Sequence, residues 1–156
     1  MKDLKKAILP IAKTYPATHK RAGEPTDFEA KIACGEKIHT IRHDSKGVWV
    51  KRFKKIKAGL MFLDLRQWTG RPYNSEMRDL FKRYREDGIG YQDVEMIYTS
   101  DDAYPRVWIN DIEVDIHELA NRDGLAVDDF VDWFFGSNNK ENHFEGIVIH
   151  FTKFRY

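Results

Sequence analysis

The 156-residue chain has a single cysteine, Cys34, so it forms no internal disulfide and builds no cysteine-rich zinc site. A lone thiol fits a reducing compartment, and a cytoplasmic location is expected. No apolar run approaches the roughly 20 residues that a membrane helix needs, so no membrane partner is expected. The lysine-bearing N-terminal stretch has only a short apolar run, broken by Pro10, and does not read as a signal peptide. An excess of one charge is also missing, since 26 basic residues face 25 acidic ones. That balance argues against a globally basic nucleic-acid binder and leaves any such role to a local patch. There is no phosphate-binding glycine loop, no dinucleotide fingerprint and no Gly-x-Ser-x-Gly elbow.

With 42% hydrophobic residues, a chain of this length can bury a real core as one domain, residues 1–156. Ala7–Ile11 reads as a short strand or arm, followed by a loop at His19–Pro25. Thr26 with Glu29 three residues later predicts a capped helix, and Gly35 stands where a left-handed helix end is expected. Ile38–Arg42 then reads as a strand. Trp49, Phe53 and Ile56, spaced by four and three, predict a helix from about Lys46 to Lys57. Its outer face carries Lys51, Arg52, Lys54, Lys55 and Lys57, either as a solvated face or as a patch that contacts phosphate through Lys51, Lys54 and Lys55.

Leu60–Trp68 alternates as a strand, with Asp64, Arg66 and Trp68 on one side, a solvent face or a cleft lining. Ser75–Arg85 fits helix and strand equally. Val94–Tyr98 predicts a strand, and Val107–Val114 a hairpin turning at Asn110-Asp111. Helices are expected at Ile116–Asn121 and Ala126–Phe135, then a polar loop at Gly136–Asn142 and a closing strand. The class is α+β, with five or six strands and short flanking helices, compatible with a small mixed barrel.

The chemistry concentrates at Ile32–Asp44, where helix gives way to strand. Thr40 and Arg42 share a strand face, whereas Lys37 has the wrong parity to join them within a regular strand. It can approach Thr40 only from the preceding turn, at an angle that Gly35 permits. The six histidines show no metal-ligand spacing, so no metal and no other cofactor is expected. The Trp133–Phe135 aromatics are either core or a protein-docking surface.

Gly35-x-Lys37 with Thr40 and Arg42 following resembles the Gly-x-Lys-x-x-x-x-Arg signature of the ASCH family of PUA-like barrels. It resembles in particular the Lys-x-x-Thr-x-Arg corner of the bacterial N4-acetylcytidine amidohydrolases. Ala120–Phe130 looks like that family's later acidic segment and short helix, and Gly146–Phe154 like its last barrel strand. The resemblance implies a cleft for a nucleoside or an RNA base and hydrolysis of an N-acyl group from a modified cytidine. It also implies that Lys37, Thr40 and Asp123 stand where the family has its catalytic Lys, Thr and Glu, the acid here being one methylene shorter. Arg42 and Arg66 would orient the ligand, with Trp68 or Tyr73 stacking on a base. Lys37 could take the Thr40 proton if burial lowers its pKa, or Asp123 could take it while Lys37 stabilises the oxyanion. The competing reading is an RNA-binding module without chemistry, using the cleft and the basic helix at 51–57.

Overall fold

The structure, a computed structural model, describes residues 3–136 and 142–156. Its strands are β1 (Lys5–Pro10), β2 (His39–Arg42), β3 (Met61–Trp68), β4 (Met77–Arg83), β5 (Gly90–Ile97), β6 (Arg106–Ile109), β7 (Ile112–Val114) and β8 (His143–His150). The helices are α1 (Phe28–Ala33), α2 (Val48–Lys57), α3 (Ile116–Arg122) and α4 (Val127–Phe135). The α+β class is as expected. Among the described residues the strands number eight rather than five or six, and no pairing closes them into a barrel. They form a three-stranded sheet ordered β1-β3-β4 and a five-stranded sheet ordered β2-β8-β5-β6-β7.

The extra strands come from segments whose periodicity was weak. Met77–Arg83 is strand rather than helix because it pairs antiparallel along β3. The final strand begins at His143 and ends at His150, before the Gly146–Phe154 span that the sequence suggested had run out. Most of the loop expected at Gly136–Asn142 lies outside the described residues. Asn110 and Asp111, with φ of 46° and 65°, turn β6 into β7, the left-handed pair that a two-residue hairpin of this twist requires.

α2 forms as its apolar spacing dictates. Trp49, Phe53 and Ile56 are buried, and the lysine-rich face looks outward. Each fully buried side chain of this size contributes about 1.5–3 kcal/mol. α1 does not start as expected. The Thr26 hydroxyl donates to Ala12 O at 2.8 Å, and Asp27 takes the cap position with φ 59°. Glu29 reaches across to Arg78 of β4 rather than back to a capping box. Tertiary partners outcompete the local cap here.

β2 is an edge strand. Its register on β8 sets Thr40 opposite Ile149 and Arg42 opposite Ile147. Residues leading into it therefore stand at a sheet margin, where helices can close over them.

Candidate active site

Two helix ends meet at this margin. α1 ends with Gly35 at φ 81°, and the Glu36 amide donates back to Lys31 O at 2.9 Å. α3 ends in the same way, with Gly124 at φ 83° and the Leu125 amide donating to Ala120 O at 3.0 Å. Only glycine adopts that backbone readily. A Cβ at Gly124 would also press on Lys37 Cβ at 3.1 Å.

The segment leaving α1 closes the carbonyl end of α3. Lys31 Nζ donates to Gly124 O at 2.8 Å, the Ile38 amide to Arg122 O at 2.9 Å, and Lys37 Nζ to Asp123 O at 2.7 Å. Those carbonyls have no partner within the helix, and a cation is favoured at that negative end. Lys37 thus has a structural role as a cap. It is only 2% exposed, and its amine also lies 3.4 Å from Asp123 Oδ1 and 4.2 Å from the Phe28 ring centre.

Lys37, Thr40, Arg42 and Asp123 line one cavity, across 86 residues of sequence between Lys37 and Asp123. Lys37 enters it from the turn, the condition that strand parity imposed. Arg42 NH1 donates to Thr40 Oγ1 at 2.7 Å and to Ile41 O at 3.0 Å, while NH2 donates to Pro10 O at 2.7 Å. The hydroxyl oxygen is thereby held by a guanidinium that is itself anchored to two backbone carbonyls. Burial pushes the Lys37 amine down to about 8; Asp123 opposes that shift and Arg42 adds to it. About a tenth of the amine is then free base at pH 7.

The space between these groups is about 30 Å³, the share of one water molecule. Trp133 and Phe134 of α4 also line it. The Trp133–Phe135 aromatics are half-buried and pack against the core rather than lying bare: Trp133 sits against Tyr15 and Phe28 at 5.6 and 5.9 Å.

Other expected ligand contacts lie elsewhere. Arg66, Trp68 and Tyr73 do not line the cavity. Arg66 Nε bonds Asp64 Oδ2 at 2.9 Å and lies 3.2 Å from Asp79 Oδ1, so the acid and base on that strand face answer each other. Trp68 packs on Tyr73 at 5.2 Å, and Tyr73 is 89% exposed.

The basic helix borders a separate groove of about 1100 Å³. Lys51, Lys54 and Lys57 line it with Arg85 and Arg155, above a floor that includes Phe53, Ile89 and Tyr91. Lys55 does not line it. The one acid there, Glu86, is bonded to Arg85 at 3.0 Å.

Three features escaped the sequence reading. His39 Nδ1 lies 3.1 Å from Asp123 Oδ1, and its Nε2 lies 2.6 Å from the Tyr156 hydroxyl. The signal for His39 was its alternation with Ile41 on a strand, which points to a buried position; Tyr156 gave none. Among the described residues, Glu95, His143 and Glu145 bring ligand-type atoms within 4.8 Å of one another on the β5–β8 surface, the one group able to hold a cation. Comparison with protein families, with curated proteins and with solved structures finds no match for this chain.

Proposed function

We propose that the chain is an ASCH-like, PUA-related hydrolase that removes an N-acyl group from a modified cytidine, presented as a nucleoside or within RNA. The carrying observation is the convergence of Lys37, Thr40, Arg42 and Asp123 on one cavity.

In this reading Thr40 is the nucleophile. Its oxygen attacks the acyl carbonyl carbon while neutral Lys37 accepts the hydroxyl proton. Arg42, already bonded to Oγ1, stabilises charge as it develops on that oxygen. The acyl–nitrogen bond then breaks, Lys37 returns its proton to the departing exocyclic amine, and an acyl-threonine ester remains. Water then attacks the ester carbon while Lys37 takes its proton, and as the acyl–Oγ1 bond breaks Lys37 returns that proton to Thr40, releasing the carboxylic acid and restoring the starting state. Of the two proton assignments open from sequence, the one with Lys37 as base is favoured. Asp123 Oδ1 is already shared between the Lys37 amine and His39, so it serves better as an anchor. The present 30 Å³ has room for a water molecule but not for an acyl group or a base, so Trp133 and Phe134 must yield for the substrate to enter.

The test is cytidine release from N4-acetylcytidine, free and within an oligonucleotide, by wild type, Lys37→Met and Thr40→Val. Turnover by wild type that both changes abolish supports the proposal; absence of turnover, or indifference to both changes, overturns it.

A second reading keeps the cleft for binding alone and gives the work to an RNA-binding surface. The groove beside α2 favours it, because Lys51, Lys54 and Lys57 there have no acidic partner among the described residues. Five cations around an apolar, aromatic floor suit a single-stranded backbone with a stacked base.

A further inference from the structure

Beyond Asp123 a polar path continues through residues that do not line the cavity. His39 does not line the cavity and is fully buried, yet it bonds Asp123 through Nδ1 and Tyr156 through Nε2. Burying such groups is unfavourable unless each finds a partner, so the orientation of every proton on the path is constrained.

The assignment is unique. A carboxylate only accepts, so Nδ1 must carry a proton to face Asp123 Oδ1. Burial first, with Lys37 and Arg122 adding to it, disfavours the imidazolium, although Asp123 pulls the other way. The ring is therefore neutral, its Nε2 bears a lone pair, and the Tyr156 hydroxyl donates to it. Tyr156 is seated for that purpose. Its amide donates to Gln92 Oε1 at 2.9 Å, its ring lies 5.6 Å from that of His39, and burial raises its own pKa, which keeps the hydroxyl protonated. Gln92 Oε1 also accepts from His150 Nε2 at 3.0 Å, which fixes the amide's orientation.

We propose that His39 is a positioning residue: its Nδ1–H holds the Asp123 carboxylate, and through it the Lys37 amine, on the cavity, while the Tyr156 hydroxyl satisfies the Nε2 lone pair that this tautomer leaves. What Lys37 and Asp123 do once held rests on the hydrolase reading; the hydrogen-bonded path does not.

The consequence for Lys37 follows from the share that His39 takes of Asp123. With Nδ1–H present, Oδ1 divides between imidazole and ammonium, and the ammonium stays 3.4 Å away. Without that donor the carboxylate turns wholly to Lys37 and binds its proton more firmly. The other groups facing Lys37 do not change: Arg42 from β2, Lys31 and the Phe28 ring from α1. An upward move of about one unit in the Lys37 titration is expected, which leaves tenfold less free amine at pH 7.

The experiment compares wild type with His39→Asn, His39→Leu and His39→Met. Asparagine keeps a donor near the Nδ1 position; leucine keeps the bulk without it. Side-chain ¹⁵N spectra report the His39 tautomer, and the ¹³Cε shift of Lys37 reports its titration, neither needing catalysis. Support would be an Nδ1–H tautomer in wild type, a Lys37 titration raised in His39→Leu, and its return toward the wild-type value in His39→Asn. Should leucine prevent folding, His39→Met, which also removes the donor but is unbranched, decides by the same rise in the Lys37 titration. An Nε2–H tautomer in wild type, or a Lys37 titration indifferent to loss of the donor, overturns the proposal. If N4-acetylcytidine is hydrolysed, the midpoint of the pH–rate profile moves with Lys37 and kcat falls about tenfold with KM unchanged. If wild type is inert while the spectra behave as described, the hydrolase reading fails and the positioning of Asp123 by His39 stands.

Discussion

The cavity at Lys37 and the groove beside α2 are opposite solutions to placing positive charge. In the cavity one lysine is buried, answered by a carboxylate, a carbonyl and a ring, with room for a single water beside it. In the groove three lysines and two arginines surround about 1100 Å³ of open space and a single acid. Burial makes a lysine's proton negotiable, because a low-dielectric setting penalises the charged form. Exposure keeps it charged, and leaves it suited to counterion exchange with a phosphate backbone. Chemistry is therefore expected from the first and attraction from the second.

The largest effects should come from the buried side. Lys37→Met and Thr40→Val are each expected to reduce release of cytidine from N4-acetylcytidine by at least about 100-fold, the span of lost general-base or nucleophilic help. Arg42→Lys should lower kcat/KM by about 100-fold, measured in the same assay, since an ammonium cannot hold Thr40 Oγ1 while spanning the Ile41 and Pro10 carbonyls.

The pH dependence of stability sharpens the contrast. The folded state depresses Lys37 from 10.5 to about 8, so the unfolded chain binds more protons between those values. Stability should climb as pH rises through that window, by about 3 kcal/mol from this group, and the climb should vanish in Lys37→Met. Burial, with the Arg155 charge adding to it, lowers His150 from 6.5 to about 3. Stability should accordingly fall as pH drops from 6.5 toward 3. Denaturant titrations at a series of pH values check both arms.

Smaller effects belong to the groove. Replacing Lys51, Lys54 and Lys57 together by alanine should flatten the salt dependence of single-stranded RNA affinity, reducing the logarithmic slope by about 2. Lys55→Ala is expected to leave that slope unchanged, because Lys55 does not line the groove. Equal effects at Lys54 and Lys55 would dissolve the distinction between groove and solvated face.

How legible each region was follows from its physics. α2 could be read directly, since spacings of four and three put Trp49, Phe53 and Ile56 on one face whatever surrounds them. The Gly35 helix end and the Asn110–Asp111 hairpin were legible for the same local reason. The cap of α1 was not: Thr26 and Glu29 fit the pattern, but Ala12 and Arg78 offered better partners from elsewhere. Met77–Arg83 could not be assigned until β3 lay beside it.

For the candidate site, strand parity already required Lys37 to act from the turn, with Thr40 and Arg42 on the strand. The arrival of Asp123 had no local signature, because it depends on α3 ending against the segment that leaves α1. The roles of His39 and Tyr156 were invisible for the same reason. What the sequence determined by itself were the features set by neighbours within a few residues: helix faces, glycine turns and the polar corner at Ile32–Asp44. Only the tertiary structure decided which of those polar groups would lose water. The lysine's pKa depends on that loss and on a partner 86 residues away, the histidine's tautomer on partners 84 and 117 residues away.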